Sequence, residues 1–69
     1  MDLETEISET IESDPHWKKI PREYAGICIA LCLTYPQAQY GIDHRMQPEE
    51  VMFKFEGFTD EQIRRWNEI

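Results

Sequence analysis

Ten consecutive residues from Tyr24 to Leu33 form the longest apolar run of the sequence, and the rest of the chain has to fold around them. The run is rich in alanine and leucine and lies between Pro21 and Pro36, which favours a helix over a strand. A helix that is apolar on every side is central and has neighbours on several faces. Ten residues are too few to cross a bilayer, so we predict no membrane span and a buried helix over residues 21–35.

The length of 69 residues is sufficient for one small domain, residues 1–69. The hydrophobic content of 41% makes a packed core attainable, so a disordered chain is disfavoured. Domains of this size bury a limited core, and self-association that completes the apolar surface is therefore an alternative. The sequence predicts a single helical domain, with a homodimer as one way of stabilising it.

The negative charge is concentrated at the N-terminus. The chain has 14 acidic and 7 basic residues and a formal net charge of −7. Residues 1–14 contain six of the acids and no base, whereas residues 15–69 form a near-neutral body. The first fourteen residues are therefore the acidic element of the protein.

This acidic segment also has the periodicity of an amphipathic helix. Asp2 is suited to cap the helix at its N-terminus, and Pro15 ends it because proline moves its predecessor out of the α region. We predict a helix over residues 2–13 with a narrow apolar stripe and acid around most of the remaining circumference. The residues of the stripe recur every four positions and are Leu3, Ile7 and Ile11.

Two connecting segments flank the central helix. Residues 15–20 are interpreted as a short turn capped by Asp14, which Trp17 and Ile20 attach to the core. Residues 36–47 have no clear period and are predicted to be an ordered connection with at most one short helical turn. Within it, Gly41 suggests a turn, and the residues that attach the segment to the core are Tyr40, Ile42 and Met46.

The C-terminal third predicts two more helices. Residues 48–56 begin with Pro48, have acids in the first turn and are followed by Gly57 as a terminator. Residues 60–68 begin with a Thr-x-x-Gln capping box formed by Thr59 and Gln62, and the core-facing residues of this helix are predicted to be Ile63 and Trp66. The fold class is therefore all-α, a small compact bundle of about four helices. Its helices span 2–13, 21–35, 48–56 and 60–68, with a turn at 15–20 and an ordered connection at 36–47.

The cysteines and histidines do not have the spacing of a structural zinc site. Cys28 and Cys32 lie one helical turn apart within the apolar run, whereas zinc is usually held by loop-borne cysteine pairs. Buried free cysteine behaves as a small hydrophobic residue, and cysteines at this spacing in a helix rarely reach disulfide geometry. We predict two reduced core cysteines, no metal, no cofactor and a cytoplasmic location.

Catalytic motifs are not recognisable in the sequence. Asp43 and His44 place a carboxylate beside an imidazole, but side chains of adjacent residues rarely face each other. A chain this short also has little volume for both a core and a substrate pocket of about 300 Å³ or more. The sequence therefore predicts a protein that is not an enzyme.

The stretch from Gly57 to Trp66 has a glycine turn, a hydroxylated cap, a later isoleucine and an Arg-Arg-Trp ending. In this it resembles the turn and recognition helix of helix-turn-helix DNA-binding domains. The resemblance covers residues 48–69, and residues 48–66 are the part that it implies for DNA binding. It departs from the pattern at Phe53, where a small residue is usual, and at Glu56, where an apolar residue is usual. The resemblance implies a small transcriptional regulator. Its candidate DNA-contacting residues are Arg45, Lys54, Arg64 and Arg65.

The electrostatics of the chain favour a different partner. The first turn of that recognition helix would present Asp60 and Glu61 to the groove, in a protein of net charge −7. Phosphate contacts supply most non-specific DNA affinity, and an acidic surface repels phosphates. An exposed basic face on this half of the protein would favour the regulator, and basic side chains held in ion pairs would favour a protein that binds proteins.

The acidic helix is the leading functional candidate. Its simplest interpretation is a solvated face that keeps a small protein soluble. Its charge is of one sign, however, so its carboxylates repel one another, and a basic partner would relieve this cost. We predict a non-enzymatic inhibitor or modulator of a basic nucleic-acid-handling protein, acting as a nucleic-acid mimic of the kind frequent among phages and mobile elements. The candidate partner-binding residues are Glu4, Glu6, Glu9, Glu12 and Asp14, joined by Trp17 or Tyr40 where these are exposed.

Overall fold

Six short helices form the fold in a computed structural model, which describes residues 2–55 and 59–68. No strand occurs in these two ranges, so the predicted all-α fold is confirmed. None of the helices within them is long and apolar enough to cross a membrane. The helices are α1 (Leu3–Ser13), α2 (Pro15–Lys18), α3 (Arg22–Ala30), α4 (Tyr35–Asp43), α5 (Pro48–Phe55) and α6 (Asp60–Asn67).

The apolar run forms the centre of the bundle, as predicted. Helix α3 packs against α1, α4, α5 and α6, and a helix with four neighbours has to be apolar on several faces. Its residues Ala25 and Cys28 are fully buried, and so is Leu31 directly after it. Helices α1, α2, α4 and α5 contribute to the same core through Ile7, Trp17, Ala38, Val51 and Met52.

Helix α3 ends at Ala30, five residues earlier than predicted. The backbone N–H of Leu33 donates to the carbonyl of Cys28 at 2.9 Å, and that of Cys32 donates to the carbonyl of Ile29 at 3.0 Å. These two bonds form a Schellman motif with Cys32 in the left-handed region at φ 62°. The residue in this left-handed position is usually glycine, so a cysteine there gives no indication in the sequence that the helix ends.

The predicted connection at 36–47 is wrong, because most of it is helix α4. Thr34 caps this helix in a capping box with Gln37, so Pro36 opens a helix where it was expected to close one. Proline is compatible with the first turn of a helix because the N–H it lacks has no intrahelical partner there. The helix ends in a second Schellman motif, in which Arg45 takes the left-handed conformation at φ 56°.

Gly41 lies inside α4 and not in a turn. A Cβ atom at this position would lie 2.2 Å from Tyr24 Oη and 2.4 Å from Val51 Cγ2. The glycine therefore allows α4 to approach α3 and α5 closely. Tyr24 Oη is itself held, because it donates a hydrogen bond to the carbonyl of Met46 at 2.8 Å.

The predicted helix starts are largely confirmed. Asp2 caps α1 by accepting from the N–H of Thr5 at 2.8 Å, and Asp14 caps α2 by accepting from His16 at 2.9 Å. Helix α5 begins at Pro48, and α6 has its capping box at Thr59. The predicted C-terminal residue Glu56 of α5 and its terminator Gly57 lie outside the described residues.

Helix α6 contacts the core through a polar residue that was not predicted. Gln62 is buried, and its Nε2 donates to the carbonyl of Leu31 at 3.0 Å. Trp66 packs against the core as predicted, whereas Ile63 was predicted to face the core and is 41% exposed. Gln62 is buried instead of Ile63 because the carbonyl of Leu31, at the end of α3, has no partner within that helix and needs a hydrogen-bond donor.

Candidate protein-binding surface on the first helix

Helix α1 is attached to the bundle by its apolar stripe. Ile7 is 1% exposed, and Leu3 and Ile11 are partly buried against the same core cluster. The helix packs on α2 and α3, which confirms the predicted orientation of the stripe. Its remaining circumference is polar, so the placement of each carboxylate around the helix decides its role.

Two of the acidic residues hold α1 in place. Glu4 and Glu6 lie on opposite flanks of the stripe, because two positions in a helix differ by about 200°. Glu4 forms an ion pair with Arg22 of α3 at 2.6 Å, and Glu6 forms one with Arg65 of α6. Both were predicted to bind a partner, and the structure instead engages them in contacts within the chain.

The pair on the α6 side is part of a larger anchor. Arg65 also donates through Nε to the carbonyl of Ala30 at 2.8 Å, so one guanidinium joins α1, α6 and the end of α3. The hydrogen bond that Arg65 donates to the Glu6 carboxylate is the main reason why the pKa of Arg65 is raised above its ordinary value, although partial burial opposes the shift. This cation is therefore committed to holding the fold together.

The outer face of α1, which we define as Glu9 and Glu12, is exposed to solvent. The two residues are three positions apart and share one side of the helix. No ion pair formed within residues 2–55 and 59–68 includes either of them. This face therefore has two carboxylates whose charge the described part of the chain does not compensate.

Asp14 has a structural role at the end of this face. Its carboxylate accepts from the N–H of His16, and the residue is half-buried. The opposite end of α1 is similar, because the hydrogen bonds from Thr5 lower the pKa of the Asp2 carboxyl. The structure thus separates the acids into capping residues, anchoring residues and the outer face.

The two aromatic candidates do not extend this surface. Trp17 is 5% exposed and packs edge-on against Tyr35 with ring centroids 6.3 Å apart, so it attaches α2 to the core as predicted and does not meet the condition of exposure for a partner contact. Tyr40 is half-buried on α4. Its ring is stacked on His44 at 3.9 Å and lies edge-on to Phe55 at 5.3 Å.

The four basic residues proposed for DNA contact are mostly engaged. Arg64 is paired with Glu61 and Arg65 with Glu6. The ammonium group of Lys54 lies 5.8 Å from the centre of the Tyr40 ring. Arg45 is exposed at the left-handed end of α4.

The cysteines differ from each other in exposure. Cys28 is buried, and burial raises the pKa of its thiol to about 12, so the thiol stays protonated at neutral pH. Cys32 was predicted to be a core residue and is exposed, because the left-handed backbone turns the chain away from α3 at this point. Within the described ranges, no group of three or more His, Cys, Asp or Glu residues is arranged to hold a metal ion.

Sequence reasoning did not identify Arg22 and Arg65 as anchors of α1. Their partners are 18 and 59 residues away in the chain, so no local pattern shows these contacts. The only signal available was the excess of acid on α1, which requires cations from elsewhere in the fold. Comparisons of the chain with protein-family models, curated proteins and solved structures found no match.

Proposed function

We propose that this protein is a non-enzymatic interaction protein that binds a basic surface of a nucleic-acid-handling protein and inhibits or modulates it. The outer face of α1 is the proposed contact. The observation that carries the proposal is that Glu9 and Glu12 are exposed and have no ion pair with the described residues. The helix is otherwise anchored on both flanks, so this face is presented by a fixed element.

The energetic reason lies in the electrostatics of the complex. Carboxylates of one sign on one helix repel each other, and an opposing cluster of Lys or Arg side chains removes this repulsion. Complementary charge also increases the rate of encounter, an effect that decreases with ionic strength. We therefore expect binding that weakens with salt, and competition with nucleic acid for the same basic surface of the partner.

The same structure supports a protein partner over DNA. Arg64 and Arg65 are held in ion pairs, and Asp60 is exposed in the first turn of α6. Random duplex DNA, measured by fluorescence anisotropy at low salt, should show no salt-sensitive binding in the nanomolar range. The free thiols of Cys28 and Cys32 support a reducing, cytoplasmic setting for the interaction.

The test is charge reversal confined to the outer face. The double substitution Glu9→Lys/Glu12→Lys changes the net charge from −7 to −3 and leaves both flanking ion pairs of α1 intact. The matched control Glu23→Lys/Glu68→Lys makes the same charge change at exposed residues of other elements. Glu6 is retained in both, since reversing it would break the anchor to Arg65.

Affinity capture from a cell lysate, quantified by mass spectrometry, compares the three proteins. We expect the wild type and the control to capture the same basic protein and the Glu9→Lys/Glu12→Lys variant to lose it. The captured protein, once purified, should then bind nucleic acid less well when the wild-type protein is added. Equal capture by all three proteins would refute the proposed surface, and equal loss in both variants would assign binding to net charge and not to this face.

A further inference from the structure

An apolar groove lies between α5 and α6, away from the outer face of α1. Its volume is about 450 Å³, and the large apolar side chain at its edge, Phe53, is 73% exposed. This is the highest exposure of any large hydrophobic residue in the described ranges. The groove is lined by Met46, Glu49, Glu50, Phe53, Lys54 and Trp66.

The charges on α5 follow a pattern that is complementary to itself. Val51 and Met52 are fully buried, so the opposite side of the helix faces solvent. On that side Glu50 and Lys54 are four residues apart, which places them on the same flank of the helix and about 6 Å apart along its axis. Phe53 lies on the other flank of the exposed side.

We propose that this groove is the interface with a second copy of the chain, in which α5 packs antiparallel against α5 of the partner subunit. A twofold axis level with Met52 places Lys54 opposite Glu50 of the partner subunit, and Glu50 opposite the partner's Lys54. Residues 50 and 54 lie at equal distances from Met52 along the helix axis. A twofold axis perpendicular to the two antiparallel helices also places each flank of α5 beside the same flank of α5 in the partner subunit. The interface therefore contains two identical ion pairs.

The same axis brings the two Phe53 rings together. Each Cα lies about 1.5 Å from the level of Met52, so the two residues are offset by about 3 Å along the paired helices. An offset of this size suits stacked aromatic rings. Each ring would then enter the groove beside Trp66 of the partner subunit, and the antiparallel helix dipoles add a favourable term.

The proposed dimer and the proposed contact on α1 use different surfaces. The groove residues do not include Glu9 or Glu12, so dimerisation leaves the outer face of α1 available. The dimer also provides apolar burial that a 69-residue chain has difficulty supplying alone. The net charge of −7 on each copy opposes association and is screened by salt, which sets near-physiological ionic strength as the condition for measurement.

Sedimentation equilibrium over a concentration series up to about 1 mM tests the oligomeric state. The wild type should shift from 8.3 kDa towards twice that mass, and Phe53→Glu should remain at 8.3 kDa. Circular dichroism should show unchanged helix content in that variant, because the side chain is largely exposed. A wild type that stays monomeric, or a dimer that persists in Phe53→Glu, would overturn the proposal.

A charge-swap experiment tests the antiparallel register. Glu50→Lys and Lys54→Glu each place like charges opposite one another in a homodimer, and each alone should weaken self-association about tenfold or more. An equimolar mixture of the two variants restores both ion pairs and should form heterodimers. Glu50 also accepts from the N–H of Gln47 at 3.1 Å, so the mixture controls for any loss of that helix cap.

The exposed pair Lys19→Glu and Glu23→Lys serves as the matched control and should change self-association in neither the separate nor the mixed samples. Failure of the mixture to dimerise would refute the register. A monomeric wild type whose Phe53→Glu variant loses a captured protein would assign the groove to that protein and refute the second copy. If Glu50→Lys and Lys54→Glu form heterodimers as expected, and Glu9→Lys/Glu12→Lys still captures the same protein as the wild type, only the proposed function is refuted.

Discussion

Replacing Gly41 with alanine probes the close approach of three helices, and Gly26 provides a matched comparison. Both glycines are buried and lie within helices, α4 and α3 respectively. In a helix interior alanine is preferred over glycine by about 1 kcal/mol. Propensity alone therefore predicts that both substitutions stabilise the protein, and any difference between them must come from packing.

At Gly41 the packing term outweighs propensity. The new Cβ would lie 2.2 Å from Tyr24 Oη and 2.4 Å from Val51 Cγ2, compared with 3.4–4 Å for an ordinary contact. Val51 is fully buried, and Tyr24 Oη can move only by giving up its hydrogen bond to Met46. Overpacking of this kind costs about 1–3 kcal/mol and the lost hydrogen bond about 1 kcal/mol. After the gain in propensity, we expect Gly41→Ala to lower the free energy of unfolding by about 1–3 kcal/mol.

At Gly26 the same added methyl group meets little resistance. The nearest atom to its Cβ is Arg22 Nη1 at 3.0 Å, the far end of a flexible side chain, and Ile7 Cγ2 lies at an ordinary 3.7 Å. Arg22 can shift while remaining near Glu4, since this pair is exposed to solvent. We expect Gly26→Ala to leave stability unchanged or to raise it by up to about 1 kcal/mol.

Urea and thermal unfolding followed by circular dichroism measure both variants. A change of 1 kcal/mol corresponds to about 4–8 °C in Tm for a domain of this size. Adding Tyr24→Phe to Gly41→Ala removes the nearest clashing atom, so the two destabilising effects should be less than additive. Gly41→Ala with a Tm equal to or above that of the wild type would refute the close approach at this position.

Two further predictions concern the helix ends and alkaline pH. Cys32→Gly and Arg45→Gly should each raise the free energy of unfolding by about 0.5–1 kcal/mol in urea titrations. The reason is that glycine removes the strain of the left-handed backbone at a small entropic cost. No gain in stability in either variant would contradict the two Schellman motifs. Burial raises the pKa of Tyr24 and of Cys28 to about 12 from ordinary values of 10.0 and 9.0. Burial favours the protonated form of both groups, so their contribution to the free energy of unfolding is complete below pH 9 and is lost as the pH rises towards 12. The urea midpoint should therefore fall over this window. A constant midpoint would contradict the burial of these groups.

The carboxylates of α1 have different structural roles, and this changes how the charge of the helix is interpreted. From composition, the acidic segment is uniform, and all of its carboxylates are equal candidates for a partner. In the structure, Glu4 and Glu6 are joined to Arg22 and Arg65. Reversal of Glu6 would therefore report on stability as well as binding, and only Glu9 and Glu12 separate the two effects.

Local patterns in the sequence determined where most helices begin and which one is central. Asp2, Asp14 and Thr59 act on backbone groups two or three residues away, so the sequence contains both the donor and the acceptor. The box of Thr34 and Gln37 has the same pattern as the one at Thr59, and α4 was predictable from it. The predicted connection at 36–47 is wrong because Pro36 stands in the first turn of α4 and does not mark the end of α3.

Only the tertiary structure decided three features: where α3 and α4 end, since neither end has a glycine, why residue 41 is glycine, and which cations pair with the acids of α1. Cys32 and Arg45 take a conformation that their own side chains disfavour, because bonds to the preceding turn and packing beyond it impose it. The approach of α4 to Tyr24 and the pairing of Glu6 with Arg65 join residues 17 and 59 positions apart. Contacts at such separations depend on how the helices pack in three dimensions, and the sequence of one helix has no signal for the position of another.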